Sequence, residues 1–160
     1  MTEYVVYKNP TLTDYMTVLA DLCPDEIEQY EAFAGEAFDV EKVAALYSLH
    51  QGPRWVLTAD EAPIVIAGFD EIRKGVWQDW LFSVPAAWEP PHWRHVTREC
   101  KRTMTVMLQT VAHRLQCVSL ASRLAAHRWY GAIGLELEGP LRRYGAGGQD
   151  ALIFSRVRSL

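Results

Sequence analysis

A chain of 160 residues with 49% apolar and 22% charged side chains has the size and composition of one folded domain, which excludes a disordered or fibrous protein. The net charge of −4 hides an asymmetry: residues 1–90 carry 5 Lys/Arg against 16 Asp/Glu, and residues 91–160 carry 11 against 4. Without an arginine-rich arm or an apolar run long enough to span a bilayer, neither duplex nucleic acid nor a membrane is an expected partner.

The charge asymmetry leaves two readings open. Either the halves interlock and neutralise each other, or the basic half meets an anionic ligand and the acidic half a cationic partner. Cys23, Cys100 and Cys117 are an odd, scattered set, which points to reduced thiols and a cytoplasmic setting. Met1-Thr2-Glu3 lacks the basic and apolar regions of a signal peptide.

In chain order, Tyr4 to Tyr7 reads as a short strand ended by Asn9-Pro10. Thr11 or Thr13 can cap a helix with Tyr15, Val18, Leu19 and Leu22 at helical spacing. Pro24 suits the first turn of a second helix, where Asp25 and Glu26 favour its positive end. Ile27, Tyr30, Phe33 and Ala34 form its apolar stripe. Asp39 caps a third helix that stops at Gly52-Pro53. Arg54 to Thr58 and Pro63 to Phe69 are strands joined at Ala59-Asp60-Glu61, and Val76 to Val84 is the third of this group. Their apolar faces on both sides predict a sheet interior covered by helices.

Residues 85–91 read as irregular. A long helix follows from Pro91, with Trp93, Val96, Cys100, Met104, Met107, Leu108, Val111 and Leu115 on its buried face. Arg94, Arg98, Lys101, Arg102 and Arg114 lie largely elsewhere on its circumference. Cys117 to Ala121 is a strand, Ala125 to Ile133 a helix ended by Gly134, and Leu135 to Tyr144 pairs with Ala151 to Val157 in a closing hairpin. With no repeat or linker, residues 1–160 form a single domain. The mixed order predicts an α/β fold whose central sheet is largely antiparallel and flanked by helices on both faces.

The segment AHRWYGAIGLELEG at 126–139 resembles the C-terminal motif of the GNAT N-acetyltransferases, with Ala126, Trp129, Tyr130, Gly134, Leu135, Glu138 and Gly139 at the motif's positions. Val84-Pro85 is a weaker echo at the end of the third core strand. The resemblance covers essentially the whole chain. It implies the GNAT fold, acetyl-CoA as cofactor and an amine as acceptor. The third core strand and Cys117 to Ala121 would then run parallel and splay apart. Tyr130 falls where the family keeps the acid that protonates the departing CoA thiolate. Asp79, between Trp77 and Trp80, is the best candidate for the base; pairing with a nearby arginine is its plainer explanation. Val84, Ala126 and Arg123, the last at a position where many members carry an asparagine, would face the cofactor. The first helix pair and residues 144–149 would border the acceptor, and the acidic set there favours a cationic amine.

The chain departs from the family at its pyrophosphate loop, whose pattern is Arg/Gln-x-x-Gly-x-Gly/Ala. Glycines let several backbone N–H groups turn toward one anion at a helix N-terminus. Here the segment is Ala86-Ala87-Trp88-Glu89-Pro90-Pro91-His92-Trp93: prolines have no N–H, the tryptophans are bulky, and Glu89 is anionic. Side-chain cations, Arg94, His95 and Arg98 with Lys101 and Arg102, are the available replacement, unless they form only a solvated basic face. The tryptophan-rich third strand and short hairpin are also similar to small acetyltransferase-like proteins of short-tailed bacteriophages. That likeness implies a phage-encoded protein of a host cytoplasm or virion; together with the altered loop it leaves a second reading, a catalytically silent fold that binds a host enzyme or a virion component.

Other chemistries find little footing. His92, His95 and Cys100 are not spaced to hold a metal on one helical face. No Gly-x-Ser-x-Gly occurs, and Gly145-Ala146-Gly147-Gly148 lacks the strand–loop–helix setting of a phosphate loop, so it reads as a flexible hairpin tip.

Overall fold

The computed structural model describes residues 1–159. The chain opens with β1 (Tyr4–Lys8) and three helices, α1 (Leu12–Ala20), α2 (Pro24–Ala34) and α3 (Val40–Ser48). The first two of these starts are set by Thr11 and Pro24. The Thr11 hydroxyl accepts from the Asp14 N–H at 3.2 Å, while the Asp14 carboxylate accepts from the Thr11 N–H at 2.7 Å, a reciprocal capping box. Pro24 occupies the first position of α2. At α3 the Asp39 carboxylate accepts from the Lys42 N–H at 2.7 Å.

Strands β2 (Arg54–Ala59) and β3 (Ala62–Arg73) follow, joined by Asp60 and Glu61 in left-handed backbone (φ 48° and 68°), the geometry of a two-residue hairpin turn. Next come β4 (Val76–Ser83), a short 3-10 helix (Pro85–Trp88), α4 (His92–Thr110), β5 (Arg114–Leu120), α5 (Leu124–Ala132), β6 (Glu136–Leu141) and β7 (Ala151–Val157). Residues 85–91 were read as irregular; Pro85 at a first helical position instead starts one tight turn.

The seven strands form one sheet in the order β1-β2-β3-β4-β5-β7-β6. All neighbours are antiparallel except β4 and β5. The predicted mixed, mostly antiparallel sheet is therefore what the chain builds. The parallel pair is registered only at Val76↔Arg114, Trp77↔Leu115 and Gln78↔Gln116. Both strands continue beyond those residues without pairing, so they part toward their C-terminal ends.

The core lies on both sides of β2, β3 and β4. Alternation along β4 sends Trp80 and Phe82 toward the first helices. The Trp80 ring meets Tyr15 of α1 at 6.2 Å and Tyr47 of α3 at 5.0 Å, and Phe82 meets Tyr47 at 4.8 Å. Gly68, opposite Trp80 in β3, makes this possible, since a Cβ there would come within 2.5 Å of the indole. Asp79 points to the other face, beside Cys117.

On that face α4 buries Val96, Cys100, Met104, Met107 and Leu108. Two sequence expectations fail at its end. Val111 is 54% exposed, and Leu115 and Arg114 belong to β5. The reason is local: the Val111 N–H bonds the Met107 carbonyl four residues back and the Ala112 N–H bonds the same carbonyl five residues back, so the last turn widens and the helix ends there. No described helix is long and apolar enough to cross a membrane.

Candidate functional site

A cleft of about 450 Å³ passes through the sheet where β4 and β5 part. From the α4/α5 side it is lined by Asp79, Cys117, Ala126 and Tyr130 together with Trp88, Trp93 and Trp129. From the α2/α3 side it is lined by Tyr30, Phe33, Tyr47, Trp80 and Phe82.

Helix α2 bridges the parted strand ends. On one arm the Glu26 carboxyl accepts from the Ser83 N–H at 3.1 Å and from its hydroxyl at 2.9 Å. On the other, the Gln29 side-chain carbonyl accepts from the Leu120 N–H at 2.9 Å, and Arg123 Nε donates to Asp25 at 2.9 Å. Splaying leaves strand edges without partners, and α2 satisfies Ser83 and Leu120 on those edges.

The titratable groups of the cleft are strongly perturbed. Burial pushes the Asp79 carboxyl up to about 7, against the opposing pull of the Cys117 thiol and the Arg123 cation. Burial likewise pushes Glu26 up to about 8, despite its bonds to Ser83 and the nearby Arg123. Tyr130, 6% exposed, is held well above the ordinary phenol range by burial, with Cys117 and Asp79 adding to the rise and Arg123 opposing it. Arg123 Nη1 lies 3.5 Å from the Tyr130 hydroxyl. Burial lowers His127, whose Nε2 is 3.0 Å from the Leu120 carbonyl, the geometry of a neutral ring donating to that oxygen.

Three tryptophans make one wall. Trp88 stacks on Trp93 at 4.1 Å and 14°, and Trp93 meets Trp129 at 4.6 Å. The Trp88 indole N–H donates to the Ser83 hydroxyl at 3.1 Å and that of Trp129 to Thr97 at 3.0 Å, so two of the rings are fixed by hydrogen bonds. The first turn of α4 is also engaged within the chain: the Trp93 N–H bonds the Glu89 carbonyl and the Arg94 N–H that of Pro91, both at 3.1 Å.

The remaining expected cofactor residues are spread apart. Arg94 and Arg98 are exposed and line a shallow groove with Trp93, Thr97 and Lys101, next to the cleft through Trp93. His95 is turned away from that groove, stacked on Tyr4 of β1 at 3.7 Å, with Arg98 at 2.6 Å from its Nδ1. Val84 is buried outside the cleft lining, with its N–H donated to the Ile64 carbonyl.

Residues 144–149 also lie outside the cleft. They are pinned on α2 by the Ala146 N–H on the Ala32 carbonyl at 2.7 Å and by Tyr144 edge-on to Phe33, which corrects the expectation of a flexible tip. Glu26, Gln29 and Tyr47 were not singled out as site residues from sequence. The acidic first turn of α2 was the available signal, and its stripe through Tyr30 and Phe33 read as core because half-buried cleft walls share the spacing of a core face.

No protein-family model matches the chain, and no curated protein matches it in sequence. Solved structures do. An N-acetyltransferase from Staphylococcus aureus Mu50 superposes with a TM-score of 0.78 at 12% identity, covering 98% of this chain and 99% of that one. A ribosomal-protein-alanine N-acetyltransferase from Brucella melitensis gives 0.73 at 15% identity, over 96% and 99%. The yncA protein of Salmonella typhimurium, solved with its cofactor acetyl-CoA, gives 0.71 at 12% identity, over 98% and 94%. The fold is that of the GNAT acetyltransferases. At these identities the likeness speaks for the fold alone, and nothing in it bears on a bacteriophage origin, a virion or a host partner.

Proposed function

We propose that this GNAT-fold chain transfers an acetyl group from acetyl-CoA to an amine. The observation that carries the reading is the cleft through the parted β4 and β5, with Asp79 and Tyr130 brought together on its wall. Acetyl-CoA would supply the acyl group. Asp79, ionised over about half its population near neutral pH, takes a proton from the acceptor ammonium directly or through one water. The freed amine nitrogen would attack the acyl carbon and displace the thiolate, to which Tyr130, held protonated by burial, would give its proton. Ala126 and the tryptophan wall would flank the cofactor's arm, with Arg123 Nη1 3.5 Å from the phenol. Arg94 and Arg98, beside Trp93, would hold the cofactor's phosphates in place of a backbone nest.

The first turn of α4 favours a second reading, in which the fold binds a partner without catalysis. Its N–H groups at Trp93 and Arg94 are already bonded, and Pro90 and Pro91 have none to give. In that reading the chain would be phage-encoded and its partner a host enzyme or a virion component. Thermal unfolding with acetyl-CoA separates the two readings. A ligand at 100 times its Kd stabilises by about 2.7 kcal/mol, a shift of several degrees for a domain of this size. Acetyl transfer requires that shift and its reduction in Arg94→Ala/Arg98→Ala; a flat curve at millimolar acetyl-CoA favours the second reading.

A further inference from the structure

We infer that the acceptor is an arylalkylamine: one primary amine on a flat apolar body, seated on the α2/α3 side of the cleft. The inference rests on the acetyl-transfer reading and specifies its second substrate.

Five aromatic side chains line that side: Tyr30, Phe33, Tyr47, Trp80 and Phe82. They are held by one another and by neighbouring rings. Tyr47 stands edge-on to Trp80 and Phe82 (interplanar 70° and 82°), Phe33 is held by Tyr144 at 5.4 Å, and Tyr30 by Phe38 at 5.6 Å. Rings held in place present apolar faces at little entropic cost, which suits a rigid flat guest.

Charge argues for a single nitrogen. Three carboxyl groups line the cleft: Glu26, Glu36 and Asp79. Glu36 is paired with Lys42 at 2.6 Å, and Glu26 is buried and protonated at neutral pH. Asp25, outside the cleft lining, is paired with Arg123. The acidic character of the first helices therefore does not reach the cleft as free charge. A polyamine or a lysine-rich peptide would bring several cations to a site with one available anion, Asp79, on the far side of the parted strands. An arylalkylamine brings one, and leaves its ring among Phe33, Tyr47 and Phe82.

The test pairs calorimetry with turnover. Phenethylamine, spermidine and ethylamine are titrated into the protein with and without acetyl-CoA, and release of CoA thiol is followed with each amine. Phenethylamine is expected to bind saturably and to react with a kcat/KM at least about tenfold above the other two. Phe33→Leu and, separately, Tyr47→Leu should each weaken it roughly tenfold, while acetyl-CoA affinity is kept. Preference for spermidine, or no saturable phenethylamine heat although acetyl-CoA binds, overturns the acceptor class and leaves acetyl transfer standing. Phenethylamine binding that depends on Phe33 and Tyr47, without acetyl-CoA binding, upholds the aromatic amine site and removes the acetyl-transfer reading. Binding of neither overturns both.

Discussion

Asp79 and Glu26 both carry their protons far above the usual carboxylate range, for the same reason of burial, yet with different consequences. Asp79 titrates at about 7, where a base is half ready at neutral pH, so kcat should fall as pH drops below 7. Asp79→Asn should remove that inflection and lower kcat roughly 10²–10⁴-fold, which a pH–rate series would show. Tyr130→Phe should lose activity on a similar scale and leave acetyl-CoA affinity intact, because the phenol serves proton transfer; a kcat within a few-fold of the parent would remove it from the mechanism. Glu26 bears on stability instead. Its folded value of about 8 lies above the ordinary 4.5, so the folded state holds a proton that the unfolded chain releases. Stability from this group is therefore greatest at and below about pH 4.5 and is lost as pH rises toward 8. Glu26→Gln keeps an acceptor for Ser83 and cannot ionise, so the melting temperature should decline less between pH 5 and pH 8 than in the parent.

Helix α4 shows how packing separates residues that look alike in sequence. Leu108 is 7% exposed and Val111 54% exposed, although both follow the apolar spacing. Leu108→Ala should destabilise by about 2–5 kcal/mol through lost burial and the cavity left behind. Val111→Ala should stay within about 0.5 kcal/mol; chemical denaturation of the two variants reads the contrast. The pattern could not show this difference, because the end of α4 is set by two N–H groups sharing the Met107 carbonyl, a detail with no sequence signature. The elements that were legible had local causes: Thr11 and Asp39 as caps, Pro24 at a first turn, Asp60-Glu61 as a turn. The motif at 126–139 placed Ala126 and Tyr130 on α5, and the structure puts both on the cleft wall. The opposite wall came from three separate elements whose meeting depends on the sheet. That is why Tyr47 and Gln29 do not stand out in the sequence; His95, expected beside Arg94 and Arg98 at the phosphates, instead stacks on Tyr4, in a strand far away in the chain.

Across the whole molecule, the acidic and basic halves meet at Arg123, whose charge acts on Asp25, Glu26 and Asp79 of the acidic half. Among the described residues only the Arg123–Asp25 ion pair joins them; Lys42–Glu36, Arg102–Glu99 and Arg114–Glu138 each stay within one half. That one pair sits beside the two α2 side chains that satisfy the open edges of β4 and β5. Helix α2 thus straps the parted strand ends through Glu26 and Gln29, while β1–β3 form a continuous antiparallel block to which those bonds do not reach. Gln29→Ala removes the acceptor of the Leu120 N–H, and Asp25→Asn weakens the hold on Arg123. In the double variant, native-state hydrogen exchange should quicken at Leu120 and along α2, and remain slow in β2 and β3, because local opening follows the contacts that were lost. Uniform acceleration through β2 and β3 would mean that α2 stabilises the domain as a whole. No acceleration anywhere would mean that the opening is set by the sheet, and the strap would have no part in holding the site.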